Sequence, residues 1–288
     1  FEPLSSKTVR GRSLWELLGK AGCRVGVFNV PAAYPPAGVN GFLVSGLGVP
    51  SAESSYTYPA ELKPLLKTRF GYSSPEAPGF GLLDARTKLE LLERNVAIQL
   101  AVCESFLAER SLDFFMVVFG ATDLAQHFFW ADMDSSHPLH DPSASPLHKD
   151  AILQTYRHVD AAIEKLLRLA GDDTNVFVMS DHGFGPQYDV FCLNSWLQEQ
   201  GYLSIRGYER SFAGMLAWLS EKAERVGIGY DDVCRLANRL LGFGLASEKP
   251  EHLLMAAALN FRRQFSALTV DWPSTRAYSV GQDAIYLN

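Results

Sequence analysis

Two short stretches each place a carboxylate beside an imidazole. One is "FGATDLAQHFFW", with Asp123 and His127. The other is "VFVMSDHGFGP", with Asp181 and His182. Four residues make about one helical turn, so Asp123 and His127 can face the same point. Asp181 and His182 follow an apolar run and precede Gly183 and Gly185, which let a backbone turn tightly after two ligands. Imidazole nitrogen with carboxylate oxygen suits Zn²⁺, and carboxylate-rich sites also suit Mn²⁺. Each pair supplies two ligands, whereas a catalytic metal takes about three from the protein and keeps one position open. The expectation is therefore two half-sites. Taken singly, either pair is also an ordinary polar strand exit, because Ser180, Asp181 and Gly183 are common turn residues.

Positioning such groups requires strands that deliver them to one edge. "CRVGVFNVP" reads as a short buried strand closed by Pro31, and "FLVSGL" as a second. "LDFFMVVFGATD" reads as a continuous apolar strand ending on Asp123. "TNVFVMSD" reads as another, ending on Asp181. Strands apolar throughout are those of a parallel sheet covered on both faces. Ligands gather outside the carboxyl ends of such strands, so neighbouring strands would bring both pairs together.

Helical text separates the strands. Ser13 is an N-cap and Gly22 a stop for a helix over 13–21, and 59–70 gives a short helix. Over 84–109, Leu89, Leu92, Val96, Leu100, Cys103 and Leu107 recur at helical spacing. A short helix is expected over 124–132. A long one over 146–170 has Ile152, Tyr156, Val159, Ile163, Leu166 and Leu167 on one side. "LNSWLQEQGYL" is a short helix ended by Gly201. The class predicted is α/β, with a mostly parallel sheet flanked by helices. Residues 205–268 carry helical text without a strand and read as an insertion or cap. The α/β core is then 1–204 with 269–288, expected to be incomplete at both ends because no start precedes Phe1 and strand text runs up to Asn288.

The other polar candidates are weaker. His137, His140 and His148 fall in or beside the polar loop "DMDSSHPLHDPSASP", as surface residues or as the rim of a site. His158 and Asp160 lie on the polar side of a helix, and His252 lies in the insertion. No G-x-S-x-G, P-loop or dinucleotide fingerprint is present. The net charge of −6, with no run of Lys or Arg, argues against a nucleic-acid partner. No apolar run reaches the ~20 residues of a membrane span. Four scattered cysteines suit a reducing compartment and so lean towards the cytoplasm.

The sequence resembles the type I phosphodiesterase/nucleotide pyrophosphatase family of the alkaline phosphatase superfamily. "NVPAAYPPAGVNGFLVSGLGVPS", "TDLAQHFFWADMD", "YRHVDAAIEKLL", "VMSDHGFGP", "LNSWLQEQGYL" and "DWPSTRAYS" carry the likeness. The resemblance implies an alkaline phosphatase-like fold, a phosphate-ester substrate and two divalent ions, Zn²⁺ or Mn²⁺. It assigns Asp123 and His127 to one ion, with a second His from near the C-terminus. It assigns Asp181 and His182 to the other, with an early Asp and a Thr or Ser nucleophile. The early Asp, the late His and the nucleophile match nothing in this stretch, so little turnover is expected from it alone. Thr8 and Ser5 lack the strand-to-helix setting of a nucleophile. Relatives in the superfamily include phosphatases, phosphomutases and sulfatases. A binding module that keeps only the fold is a further alternative.

Overall fold

The structure is a computed structural model and describes residues 5–73, 80, 83–188, 191, 193–205, 270–279 and 284–288. The chain divides into two compact units. The first is Phe1–Pro78 with Ala85–Pro186, and the second is Gly79–Asp84 with Gln187–Asn288. The expected insertion over 205–268, including His252, lies outside the described residues except for Ile205.

The first unit is built on a four-stranded sheet. Its strands are β1 (Val25–Val30), β2 (Gly41–Ser45), β3 (Thr57–Tyr58) and β4 (Phe114–Val117), in the order β3-β2-β1-β4. β1 runs parallel to both β2 and β4, and only the two-residue β3 is antiparallel. This is the α/β class with a mostly parallel sheet that the apolar runs predict. β1 is buried at all six positions, as a central parallel strand must be.

Alternation along the strands sorts side chains to two faces. Phe28, Phe42 and Val44 pack with Val102, Cys103 and Phe106 of helix α3 (Ala85–Glu109) and with Leu166 of helix α6 (Ala151–Ala170). Val27, Leu43, Phe114 and Met116 gather on the other face with Trp15 of helix α1 (Leu14–Lys20). Gly26 makes room for this packing, since a Cβ there would stand 2.8 Å from the Phe42 ring. α1 starts where expected. Ser13 accepts from the Glu16 amide and the Glu16 carboxylate accepts from Ser13, a reciprocal capping box.

Several boundaries and faces differ from the sequence reading. The helix at 59–70 narrows to α2 (Leu62–Leu65), continued by a π-helical turn over Leu66–Phe70 and ended by Gly71 in the left-handed region. The helix at 146–170 is two helices, α5 (Pro146–Lys149) and α6, parted at Asp150. The buried stripe of α6 is Ile152, Thr155, Val159, Ala162 and Leu166, while Tyr156 and Leu167 are exposed. Several phases of a 3.6-residue repeat were open to an apolar-rich helix, and packing against α3 and helix α4 (Ala121–Met133) selects one.

The largest correction concerns "TNVFVMSD". It forms no strand, and Val176, Phe177, Val178 and Met179 are exposed, Phe177 by 88%. Among the described residues no strand pairs with this segment. A strand exists only through a ladder partner, and an apolar run does not supply one. β4 also departs from the expected double burial. It is half-buried, because it is the outer strand of the described sheet.

The second unit contains helix α7 (Leu193–Glu199) and an antiparallel pair, β5 (Ala277–Ser279) with β6 (Ile285–Leu287). Leu197, Leu203, Val270 and Ala277 form its core. Asn194 closes two hydrogen bonds with the main chain of Ser279, donating through Nδ2 and accepting through Oδ1. No described helix in either unit is long and apolar enough to cross a membrane.

Candidate functional site

Asp123 does not end a strand. β4 stops at Val117, and Asp123 lies in the first turn of α4, two residues after its first residue, Ala121. A carboxylate there lies at the positive end of the helix dipole. His127 follows on the same face, its Nε2 3.6 Å from Asp123 Oδ1.

The start of α4 is fixed by the end of β1. Asn29 is buried, has a φ of +62° and interrupts the β1–β2 register as a bulge. Asparagine tolerates that left-handed backbone better than most residues. Its Nδ2 donates to Val118 O at 2.7 Å, and its Oδ1 accepts a longer bond from Tyr72. The Val118 amide in turn donates to Phe28 O. Both main-chain groups of Val118, two residues before the α4 cap Gly120, are therefore held by β1. Gly46 is needed opposite, because a Cβ there would stand 2.3 Å from Asn29 O.

The second pair meets the first. His182 Nε2 stands 3.9 Å from Asp123 Oδ1 and 3.6 Å from Asp181 Oδ2. One carboxylate oxygen of Asp123 thus faces both imidazoles through their Nε2 atoms. His182 Nδ1 donates to Gly183 O at 2.8 Å. A carbonyl only accepts, so Nδ1 carries a proton and Nε2 is the ring atom that faces the carboxylates. The Gly183 carbonyl, then Asp181 and Asp123, raise the His182 pKa above its ordinary value.

These separations exceed hydrogen-bond length, so the four groups are neighbours without being locked to one another. They are also wider than the about 3.3 Å between ligand atoms of a tetrahedral Zn²⁺. Among the described residues, no group of three or more His, Cys, Asp or Glu side chains is arranged to hold a metal ion. The donor types and the fixed His182 tautomer fit a metal-ligating pair. Their number and spacing do not amount to a closed site.

An aromatic contact joins the two pairs and was missed in the sequence. The Phe184 ring lies edge-on to His127, 4.8 Å between centroids, and near-parallel to Trp130 at 5.7 Å. Trp130 comes three residues after His127, so the helical spacing of "HFFW" was the available signal. Gly183 and Gly185 are not forced by geometry. Neither has a positive φ, and a Cβ at either would meet nothing within 4 Å.

The other polar candidates make local contacts. His137 is buried in a turn where its Nδ1 accepts from the Leu139 amide, and His140 Nδ1 donates to Ala131 O. His148 lies near the Phe129 ring, and His158 faces Glu93 of α3 at 3.8 Å. The Thr8 hydroxyl donates to Ser5 O inside a turn.

The sequence pattern of the type I phosphodiesterase / nucleotide pyrophosphatase family matches residues 2–253. The chain belongs to that family. The type I phosphodiesterase/nucleotide pyrophosphatase assignment makes it a hydrolase of that type, and a small phosphate-ester substrate fits the family. No curated protein and no solved structure matches the chain significantly.

Proposed function

We propose that this chain carries four metal ligands of a two-metal phosphoric ester hydrolase. Asp123 and His127 serve one ion, and Asp181 and His182 serve the other. The observation that carries this reading is the meeting of both pairs at Asp123 Oδ1, although Asp123 and Asp181 lie 58 positions apart in the sequence. Zn²⁺ or Mn²⁺ suits these donors. When bound, such a pair of ions stabilises the charge that grows on the attacking and leaving oxygens of a transferring phosphoryl group.

The protein's own part is to prepare the donors. The Gly183 carbonyl holds the proton of His182 on Nδ1 and leaves Nε2 for coordination. The first turn of α4 places Asp123 one helical turn before His127, on the same face. A Thr or Ser acting as a covalent nucleophile, a further Asp and a further His complete the family's site, and no motif in this sequence matches them. Turnover is therefore expected of protein that also carries those groups, and residues 1–288 alone should hydrolyse little.

The test has two readouts. Zn²⁺ and Mn²⁺ binding to residues 1–288 is measured by calorimetry for the wild type and for Asp181→Ala. Hydrolysis of aryl phosphate monoesters and diesters is measured in protein carrying the complete site, with and without chelator. The reading expects weak binding that Asp181→Ala reduces, and hydrolysis that chelator abolishes. Hydrolysis indifferent to chelator would sink it.

A further inference from the structure

Asp181 and His182 need to be held in place, and the sheet does not hold them. The segment before them pairs with no strand among the described residues. From Gly171 to Tyr188 every described residue is exposed except Phe184, which is half-buried. Gly183 and Gly185 on either side contribute no side chain to packing.

The Phe184 ring contacts one stripe of α4. His127 and Trp130 lie three residues apart on that helix, and Asp123 lies one turn before His127. The ring centroid is also 6.2 Å from His182. A single aromatic side chain therefore touches both Asp–His pairs. The polar approach of His182 to Asp123 at 3.9 Å is too long to fasten the loop by itself. Edge-to-face and offset-parallel ring contacts at these distances are favourable, and they bury apolar area that the loop buries nowhere else.

We infer that Phe184 is a positioning residue: it fastens the 181–186 loop to α4 and so sets the spacing between His182 and the Asp123–His127 pair. The anchoring stands on the contacts alone. Its consequence for metal binding rests on the ligand reading above, and the experiment separates the two.

Wild type, Phe184→Ala, Phe184→Tyr and Phe177→Ala are compared as residues 1–288. Phe177 lies in the same segment but is exposed, so its variant is the control. Backbone ¹⁵N relaxation of residues 181–185 is recorded without metal, and Zn²⁺ binding is measured by calorimetry. Thermal melting confirms that each variant folds. Phe184→Ala is expected to drop the order parameters of 181–185 into the flexible range, below about 0.6, with melting unchanged within about 2 °C. Phe184→Tyr keeps the ring and should match wild type, as should Phe177→Ala. Zn²⁺ affinity should fall at least about tenfold in Phe184→Ala only.

Anchoring is overturned if Phe184→Ala leaves the loop as ordered as wild type, or if Phe177→Ala loosens it equally. If the loop loosens as expected but wild type takes up no Zn²⁺, anchoring stands and the ligand reading falls. If Zn²⁺ binds wild type and Phe184→Ala equally while the loop loosens, the proposed link from anchoring to the site is wrong.

Discussion

At the scale of single residues, two side chains carry most of the site's geometry. Asp123 Oδ1 is the one atom that faces both His127 and His182. Asp123→Asn keeps the shape and removes the charge, so the imidazoles lose their shared anion. Zn²⁺ affinity should fall at least about tenfold by calorimetry, with the fold kept, because Asp123 is half-exposed. Asn29 is the opposite case, buried and bonded to Val118 O. Removing its amide leaves that carbonyl without its side-chain donor, at a cost of about 1–3 kcal/mol. Asn29→Ala adds strain at a φ of +62°, whereas Asn29→Gly does not. In urea titrations Asn29→Gly should therefore be the more stable of the two variants, although both lose the same hydrogen bond.

At the scale of elements, local signals were legible where they were self-contained. Ser13 and Glu16 announce the start of α1 because a capping box is closed within four residues. Ser13→Ala should cost about 1 kcal/mol. The Ser13 amide and hydroxyl hold the Glu16 pKa below its ordinary value of 4.5. A depressed carboxylate adds stability above its unfolded pKa and loses it as pH falls through the lower folded value. The difference between wild type and Glu16→Gln should thus be full at neutral pH and shrink on acidification below about pH 4.5. Equal differences at pH 7 and at the acid end would contradict that. The segment at 175–180 failed for the converse reason. Its residues have strand composition, but strand formation depends on a partner chain segment that composition does not encode. Its exposure has a direct check. Phe177→Asp should change stability by no more than about 0.5 kcal/mol in chemical denaturation, as an exposed site allows.

At the scale of the whole molecule, the α/β class and the shared helix face of Asp123 and His127 were readable because they follow from short-range pattern, whereas the approach of His182 to Asp123 comes from a loop contact and not from the neighbouring strands that were expected. The mostly apolar β1 and β2 require cover on both faces, and residues 123 and 127 share a helix face whatever surrounds them. The helix phase of α6, the half-burial of β4 and the role of Phe184 were not readable, because each is decided by a neighbour distant in sequence. Phe42 is the sharpest example. Nothing local marks it out from Phe28 or Phe114, yet its ring lies 4.6 Å from Phe106 and 6.4 Å from Phe115, with the Arg110 guanidinium 5.4 Å from its centroid. Gly26 is cut away beneath it. Truncating such a ring removes its transfer free energy and leaves a cavity whose walls, a strand and a long helix, cannot close in. Phe42→Ala should cost about 3–5 kcal/mol. Gly26→Ala should destabilise as well, by overpacking the same spot, at about 1–3 kcal/mol. The two substitutions act on one space, so the double variant should be less destabilised than the sum of the singles, the added methyl occupying part of what the ring vacates. Urea titration of the three variants measures the coupling, and strict additivity would mean that Gly26 and Phe42 do not share that space.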